Sequence, residues 1–197
     1  MIPDPSNGSY VLYSDFNCPF CYAMHERLHA QGVMDQVKWR GVQHAPHLPI
    51  PMARWNGRLM EELRHEVALV GRLTPTLSIR LPAGKPNSRP AILLAAAILA
   101  HDPAQGMRLV RHLHQRFWQD GQDISDAGVL QEVLRELAIH SDSYSEQSIV
   151  HPAAADEWDA HWHHTGQPGV SLLVRPDGAH PVGLTSEADV VEFFAFT

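Results

Sequence analysis

Residues 9–16, SYVLYSDF, are dense in β-branched and aromatic side chains and follow an Asn7-Gly8 turn signal, which predicts a strand. Pro19 suits the first position of a helix, where its missing N–H has no partner to lose, and FCYAMHERLHAQ predicts a helix that stops at Gly32. Val37 to Gln43, VKWRGVQ, reads as a second strand, so the chain opens with a β-α-β unit. HAPHLPIPMARW, with three prolines, is a connection. Beyond it the period becomes helical. Leu59, Leu63 and Val67, with Met60 and Val70 beside them, form an apolar stripe on one helix. Thr74 to Pro90 holds four prolines and reads as a long loop. Asn87 or Ser88 can cap a helix starting near Pro90, and its AILLAAAILA body is apolar nearly all round, as expected of a central helix. Asp102-Pro103 opens another helix, lined by Leu109, Leu113 and Phe117 and stopped by Asp120-Gly121. A further helix runs from about Asp126 to Ile139, and Pro152 to His164 also reads as helical. VSLLVRPDGAHPVGL then predicts two short strands around a Pro176-Asp177-Gly178 turn, and SEADVVEFFAF predicts a capped closing helix.

The composition narrows the partners. The chain has 197 residues, 44% hydrophobic and 19% charged, enough for one globular domain with an inserted lobe. A formal charge of -7 leaves no basic excess to neutralise phosphates, so nucleic acid is not an expected partner. The most apolar run, Ala91 to Ala100, is about half of what a membrane-spanning helix needs, and MIPDPSNGSY lacks the features of a signal peptide, so a cytoplasmic protein is expected.

The only cysteines are Cys18 and Cys21, a spacing that two randomly placed cysteines would show in roughly 1 case in 100. A bridge closing so small a loop constrains the unfolded chain little, so the pair reads as chemistry rather than scaffolding. Cys18 stands where the strand ends and the helix begins. There the unpaired N–H groups and the positive end of the helix dipole favour a thiolate. Cys21, one turn further in, shares less of that field but is close enough to attack a mixed disulfide on Cys18. Cys18 is thus the expected attacking thiolate and Cys21 the resolving thiol. Between them, Pro19 removes one N–H from the cluster and Phe20 offers no donor, so a less oxidising couple is expected than with histidine at that position. Zinc ligation by four cysteines is excluded by the count, while mixed Cys/His ligation and an inert reduced pair remain open.

SDFNCPFCYAM resembles the active-site stretch of the DsbA-like thioredoxin-fold family, in particular its FrnE-like cytoplasmic branch, in which Ser-Asp runs into Cys-Pro-aromatic-Cys-Tyr. GKPNSRPAILLAAA and RFWQDGQDISDAGVLQEVLRELAI are similar to the helical lobe of that branch, and GVSLLVRPDG to the strand entry opposite its active site. The resemblance spans almost the whole chain. It implies a thioredoxin-like α/β fold, β-α-β then β-β-α, with residues 1–45 and 151–197 as the thioredoxin domain and 46–150 as an inserted all-helical lobe. It also implies thiol-disulfide exchange on a protein or small-molecule substrate, with no bound organic cofactor. Two departures stand out. The family's cis-proline after Gly-Val is Ser171 here, so either Val170-Ser171 is itself cis or the loop differs locally. Val170 and Ser171 are expected to line the site, with the Ser171 hydroxyl able to donate to the Cys18 thiolate or else idle in a relaxed loop. The additional cysteine pair of some FrnE-like proteins is absent. Relatives of the same fold, kappa-class glutathione transferases and 2-hydroxychromene-2-carboxylate isomerases, carry serine in place of Cys18 and act with glutathione. A glutathione-dependent isomerase or transferase, with glutathione as co-substrate at Cys18 or Ser171, is therefore the alternative. A ligand-binding protein with residual thiols is the third.

Three further features ask for roles. The acidic residue that many thioredoxin-fold proteins bury six positions before the first cysteine is Leu12 here. Asp15, three positions before Cys18, is a candidate to bond the loop or relay a proton. His25-Glu26-Arg27-Leu28-His29 fits H-E-x-x-H, yet it sits on the helix that opens with the cysteines, so chance is the expected origin and no metal is assigned. His161, His163 and His164 are expected to face the negative end of their helix.

Overall fold

The computed structural model describes residues 9–140 and 153–195. Among the described residues the sheet has three strands: β1 (Tyr10–Ser14), β2 (Val37–Gly41) and β3 (Leu172–Val174), in the order β2-β1-β3. β1 pairs parallel with β2, Tyr10 opposite Val37 and Ser14 opposite Gly41, and antiparallel with β3, Val11 opposite Val174. The central strand is covered on both faces, and all five of its residues are buried without alternation. β2, at the edge, keeps the alternation expected there: Val37, Trp39 and Gly41 are buried and Lys38 is exposed.

The helices are α1 (Pro19–Ala30), α2 (Gly57–Leu73), α3 (Arg89–His101), α4 (Pro103–Trp118), α5 (Ala127–Glu136), α6 (Ala153–His164) and α7 (Glu187–Phe194). Five of them, α2 to α6, lie in sequence between β2 and β3, which is the mixed α/β fold of a thioredoxin domain with a helical insertion. Several boundaries have a local cause. α1 ends where Gly32 takes φ +68°. The Asp102 carboxylate accepts from Gln105 N–H to start α4, Asp126 from Gly128 and Val129 to start α5, and the Ser186 hydroxyl from Asp189 to start α7. At α3 the side chain that accepts is Asn87, from Arg89 N–H at 3.0 Å, one residue ahead of the cap position. α3 and α4 pack so closely that a Cβ on Gly106 would lie 2.6 Å from the Leu99 side chain.

One sheet face carries the main core, in which Leu12, Phe16 and Trp39 meet Ile92 and Ile98 of α3 and Leu109, Leu113, Phe117 and Trp118 of α4. The other face carries a smaller cluster of Val11, Tyr13, Val42, Trp162, Leu172 and Val174. Two expectations need correction. Leu59, in the first turn of α2, is 48% exposed, because that helix packs through its later turns at Leu63 and Val70. The second strand of the C-terminal hairpin shrinks to one bridge, Leu172 to Val182. Pro181 has no N–H for a ladder and Val182 is exposed, so residues beyond the turn gain little by extending the sheet. The Asn7-Gly8 turn and the boundary near residue 150, Pro152 included, lie outside the described residues.

Candidate active site

β1 delivers the chain to a tight junction. After Ser14 the loop Asp15-Phe16-Asn17 turns, and Cys18 occupies the N-cap of α1 with extended backbone (φ -102°, ψ 118°) followed by Pro19 at the first helical position. The turn is tied down by Cys18 N–H donating to Asp15 O at 3.2 Å, Trp118 Nε1 donating to Phe16 O at 2.8 Å, and Asn17 Nδ2 donating to Pro86 O at 3.1 Å. The last two bonds join the junction to α4 and to the loop before α3. The helical insertion therefore holds the site in place.

Both cysteines are free thiols, Cys18 6% exposed and Cys21 fully buried. Cys18 donates to Val170 O at 3.8 Å, and Asp15 N–H donates to Cys21 Sγ at 3.4 Å. Their acidities are pushed apart. A hydrogen bond from the Cys21 thiol holds Cys18 below its ordinary range; burial opposes this, and the charges of His44 and Lys85 and the Cys21 N–H assist it. Burial, and then the hydrogen bond and charge shared with Cys18, push Cys21 well above its range.

Behind the pair is a polar cradle built on Asp15, which is fully buried. Its Oδ2 accepts from His44 N–H at 3.0 Å and from His44 Nδ1 at 2.7 Å, and its Oδ1 accepts from Asn17 N–H at 3.3 Å. Burial works against a charged His44. The Asp15 hydrogen bond and charge outweigh it, with help from Cys18, and raise the imidazole above its ordinary value. Lys85, itself buried, donates to Glu66 at 2.6 Å. No local motif in the sequence marks His44 or Lys85 as a site residue. Ser14 pairs with Gly41, so the residues after β2 run beside Asp15, and that parallel register is the signal that places His44 at the site.

Val170-Ser171 is a cis peptide. Of the two sequence readings of the Ser171 hydroxyl, donation to Cys18 or an idle place in a relaxed loop, neither describes its bond: it donates to Gly183 O at 3.0 Å, and Ser171 is fully buried. What faces Cys18 from this loop is the Val170 carbonyl. Pro19 is buried and Phe20 half-buried, and Leu12 lies in the main core.

The histidines of the two sequence clusters, with His114, form two separate groups. His25 and His29 stand with ring centroids 4.8 Å apart, His114 lies 5.3 Å from His25, and Glu26 is committed to Arg111 through bonds of 2.9 and 2.8 Å. Neither ring nitrogen of His25 or His114 has a partner among the described residues. Burial pushes His25 well below its ordinary value and His114 down to about 3. His161 meets Arg40 at 3.3 Å, His163 packs on Trp162, and His164 bonds Ala160 O at 2.6 Å within its own helix. Among the described residues no group of three His, Cys, Asp or Glu side chains is arranged to hold a metal ion.

Comparison with known proteins gives a consistent picture. The family model of the DSBA-like thioredoxin domain matches residues 11–163. No curated protein matches the sequence. Among solved structures, the cytosolic disulfide reductase DsbM from Pseudomonas aeruginosa superposes with TM-score 0.70 at 16% identity, covering 96% of this chain and 100% of that one. The structure of DsbM with GSH matches as well, with TM-score 0.64, 17% identity and 88% of each chain covered. A 2-hydroxychromene-2-carboxylate isomerase matches with TM-score 0.67 at 17% identity, over 94% of this chain and 92% of that one. At such identities the likeness is one of fold.

Proposed function

The chain belongs to the DSBA-like thioredoxin domain family, and from that premise we propose that it is a thiol-disulfide oxidoreductase in which Cys18 attacks and Cys21 resolves. The observation that carries this reading is the placement of two free thiols one helical turn apart, Cys18 at the N-cap of α1 where the helix dipole favours a thiolate and Cys21 fully buried behind it. The Cys18 thiolate attacks one sulfur of a substrate disulfide; the substrate disulfide breaks and its other sulfur leaves as a thiolate. That step makes Cys18 neutral, so the charge and hydrogen bond that suppressed Cys21 ionisation are removed just when Cys21 must react. The Cys21 proton passes to the departing thiolate, and the Cys21 thiolate attacks Cys18 Sγ, breaking the mixed disulfide so that the second substrate sulfur leaves as a thiolate. The products are a Cys18-Cys21 disulfide, one substrate thiol and one substrate thiolate, which takes its proton from solvent. Two electrons have moved through sulfur alone, so no bound organic cofactor is required. A small thiol such as glutathione is the proposed co-substrate that reduces the pair again, in a cytoplasmic setting where thiols are kept reduced. Among the described residues no helix is long and apolar enough to cross a membrane.

The glutathione-dependent isomerase reading uses the same cleft but needs only one nucleophile. Its candidate Ser171 hydroxyl is buried and engaged by the Gly183 carbonyl, which favours the exchange reading. Insulin reduction driven by glutathione tests the choice. Exchange predicts loss of activity in Cys18→Ser and slowed turnover in Cys21→Ser. Glutathione-dependent turnover of a small electrophile that is unchanged in Cys21→Ser would support the alternative.

A further inference from the structure

At the opposite end of α1 from the cysteines lies a cavity of about 730 Å³, within the size range of small-molecule sites. Cys18 precedes the first residue of α1 and His29 is in its last turn, so the two are separated by about 16 Å along the helix axis. None of Asp15, Cys18, Cys21, His44, Val170 and Ser171 lines this cavity. It is bounded by the edge strand β2, the end of α3, the start of α4 and Trp158 of α6.

Two properties of its wall specify a ligand. The first is shape and softness: Trp39 and Trp158 meet edge to face, centroids 6.1 Å apart, and Met34 and Met107 share the wall with them. Aromatic edges and thioethers suit a flat aromatic body. The second is charge. The lining includes Lys38, Arg40, Arg108 and Arg111 against the carboxylate of Asp35, on a chain of formal charge -7. Arg111 approaches Glu26 through Nε and Nη2, and Arg108 is exposed with no ion pair among the described residues.

We propose that this cavity is a binding site for a small aromatic monoanion, a carboxylate or sulfonate, separate from the dithiol site. The ring system lies against Trp39 and Trp158, and the charged group lies toward Arg108.

The test compares two probes with the same apolar body, 8-anilinonaphthalene-1-sulfonate and the neutral N-phenyl-1-naphthylamine, titrated into the full chain with tryptophan and probe fluorescence as readouts. The expected result is saturable one-to-one binding of the sulfonate, at least about tenfold tighter than the amine. Arg108→Glu is expected to weaken the sulfonate at least about tenfold and leave the amine within about twofold. Trp158→Ala is expected to weaken both. Cys18→Ser is expected to change neither. Equal affinity for the two probes, sulfonate binding unaffected by Arg108→Glu, or binding lost in Cys18→Ser would each overturn the proposal.

Discussion

His44 Nδ1 donates to Asp15 Oδ2 at 2.7 Å, and this pair stands behind the cysteines with Asp15 fully buried and His44 held above its ordinary acidity range. The fold thereby supplies a cation near Cys18 although the customary buried acid, six residues before it, is Leu12. Removing the imidazole should withdraw part of the support for the thiolate. In His44→Ala the Cys18 thiol is expected to become less acidic by about one unit, roughly 1.4 kcal/mol. The reduced form loses that stabilisation, so the couple should become more reducing by about 30 mV. Thiolate absorbance against pH and a glutathione redox titration check both.

The reduction potential of the unmodified protein should lie nearer to about -270 mV, the thioredoxin range, than to about -120 mV, that of the strongest oxidants of this fold. Pro19 and Phe20 offer the Cys18 thiolate no side-chain donor, so they leave it less stabilised than a histidine would. A glutathione titration giving a potential near the oxidising extreme would contradict this.

Ser171→Ala separates a structural role from a chemical one. The hydroxyl bonds Gly183 O at 3.0 Å, so its loss should cost about 1 kcal/mol in urea unfolding. The acidity of Cys18 should not change. A clear rise in the Cys18 pKa of this variant would show that the hydroxyl serves the thiolate instead.

Acid should destabilise the fold through the buried imidazoles. Above about pH 6.5 His25 and His114 are neutral in both states and contribute no slope. As pH falls below that value the unfolded chain binds protons that the folded chain refuses, down to about 3 for His114. Each residue then removes about 1.4 kcal/mol of stability per pH unit. His44, raised rather than lowered, acts above pH 6.5, where its contribution is lost as pH rises through its folded value. Urea unfolding between pH 5 and 6.5 is expected to show His114→Phe reducing the slope by about one proton. An unchanged slope would mean that His114 is protonated in the folded state.

How far the sequence reaches is set by whether a feature is local. β1, α1 and the Cys18 N-cap are legible because a run of β-branched and aromatic residues, a proline and a glycine act within a few positions of one another. The helical insertion is legible for the same reason, through Asp102, Asp126 and the apolar body of α3. The exposure of Leu59 is not, since a stripe shows which face is apolar but not which turns find a partner. Nor is the loss of the last strand, where an alternating pattern exists but Pro181 and an exposed Val182 leave the ladder with little to gain. Within the site, Asp15 and the cysteines stand in one short segment. His44 and Lys85 come from connections whose placement depends on the parallel register of β1 and β2 and on the packing of α3. Ser171 was locatable, but the direction of its hydroxyl depends on Gly183, twelve residues on.

The central claim is that the two thiols are unequal and that Cys18 reacts first. It is tested most directly by alkylating the reduced protein across a pH series and resolving the modified cysteines by mass spectrometry. The account predicts that Cys18 is labelled well below its ordinary titration range while Cys21 stays unmodified until far more alkaline conditions. Labelling of Cys21 at the same pH as Cys18, or ahead of it, would contradict it.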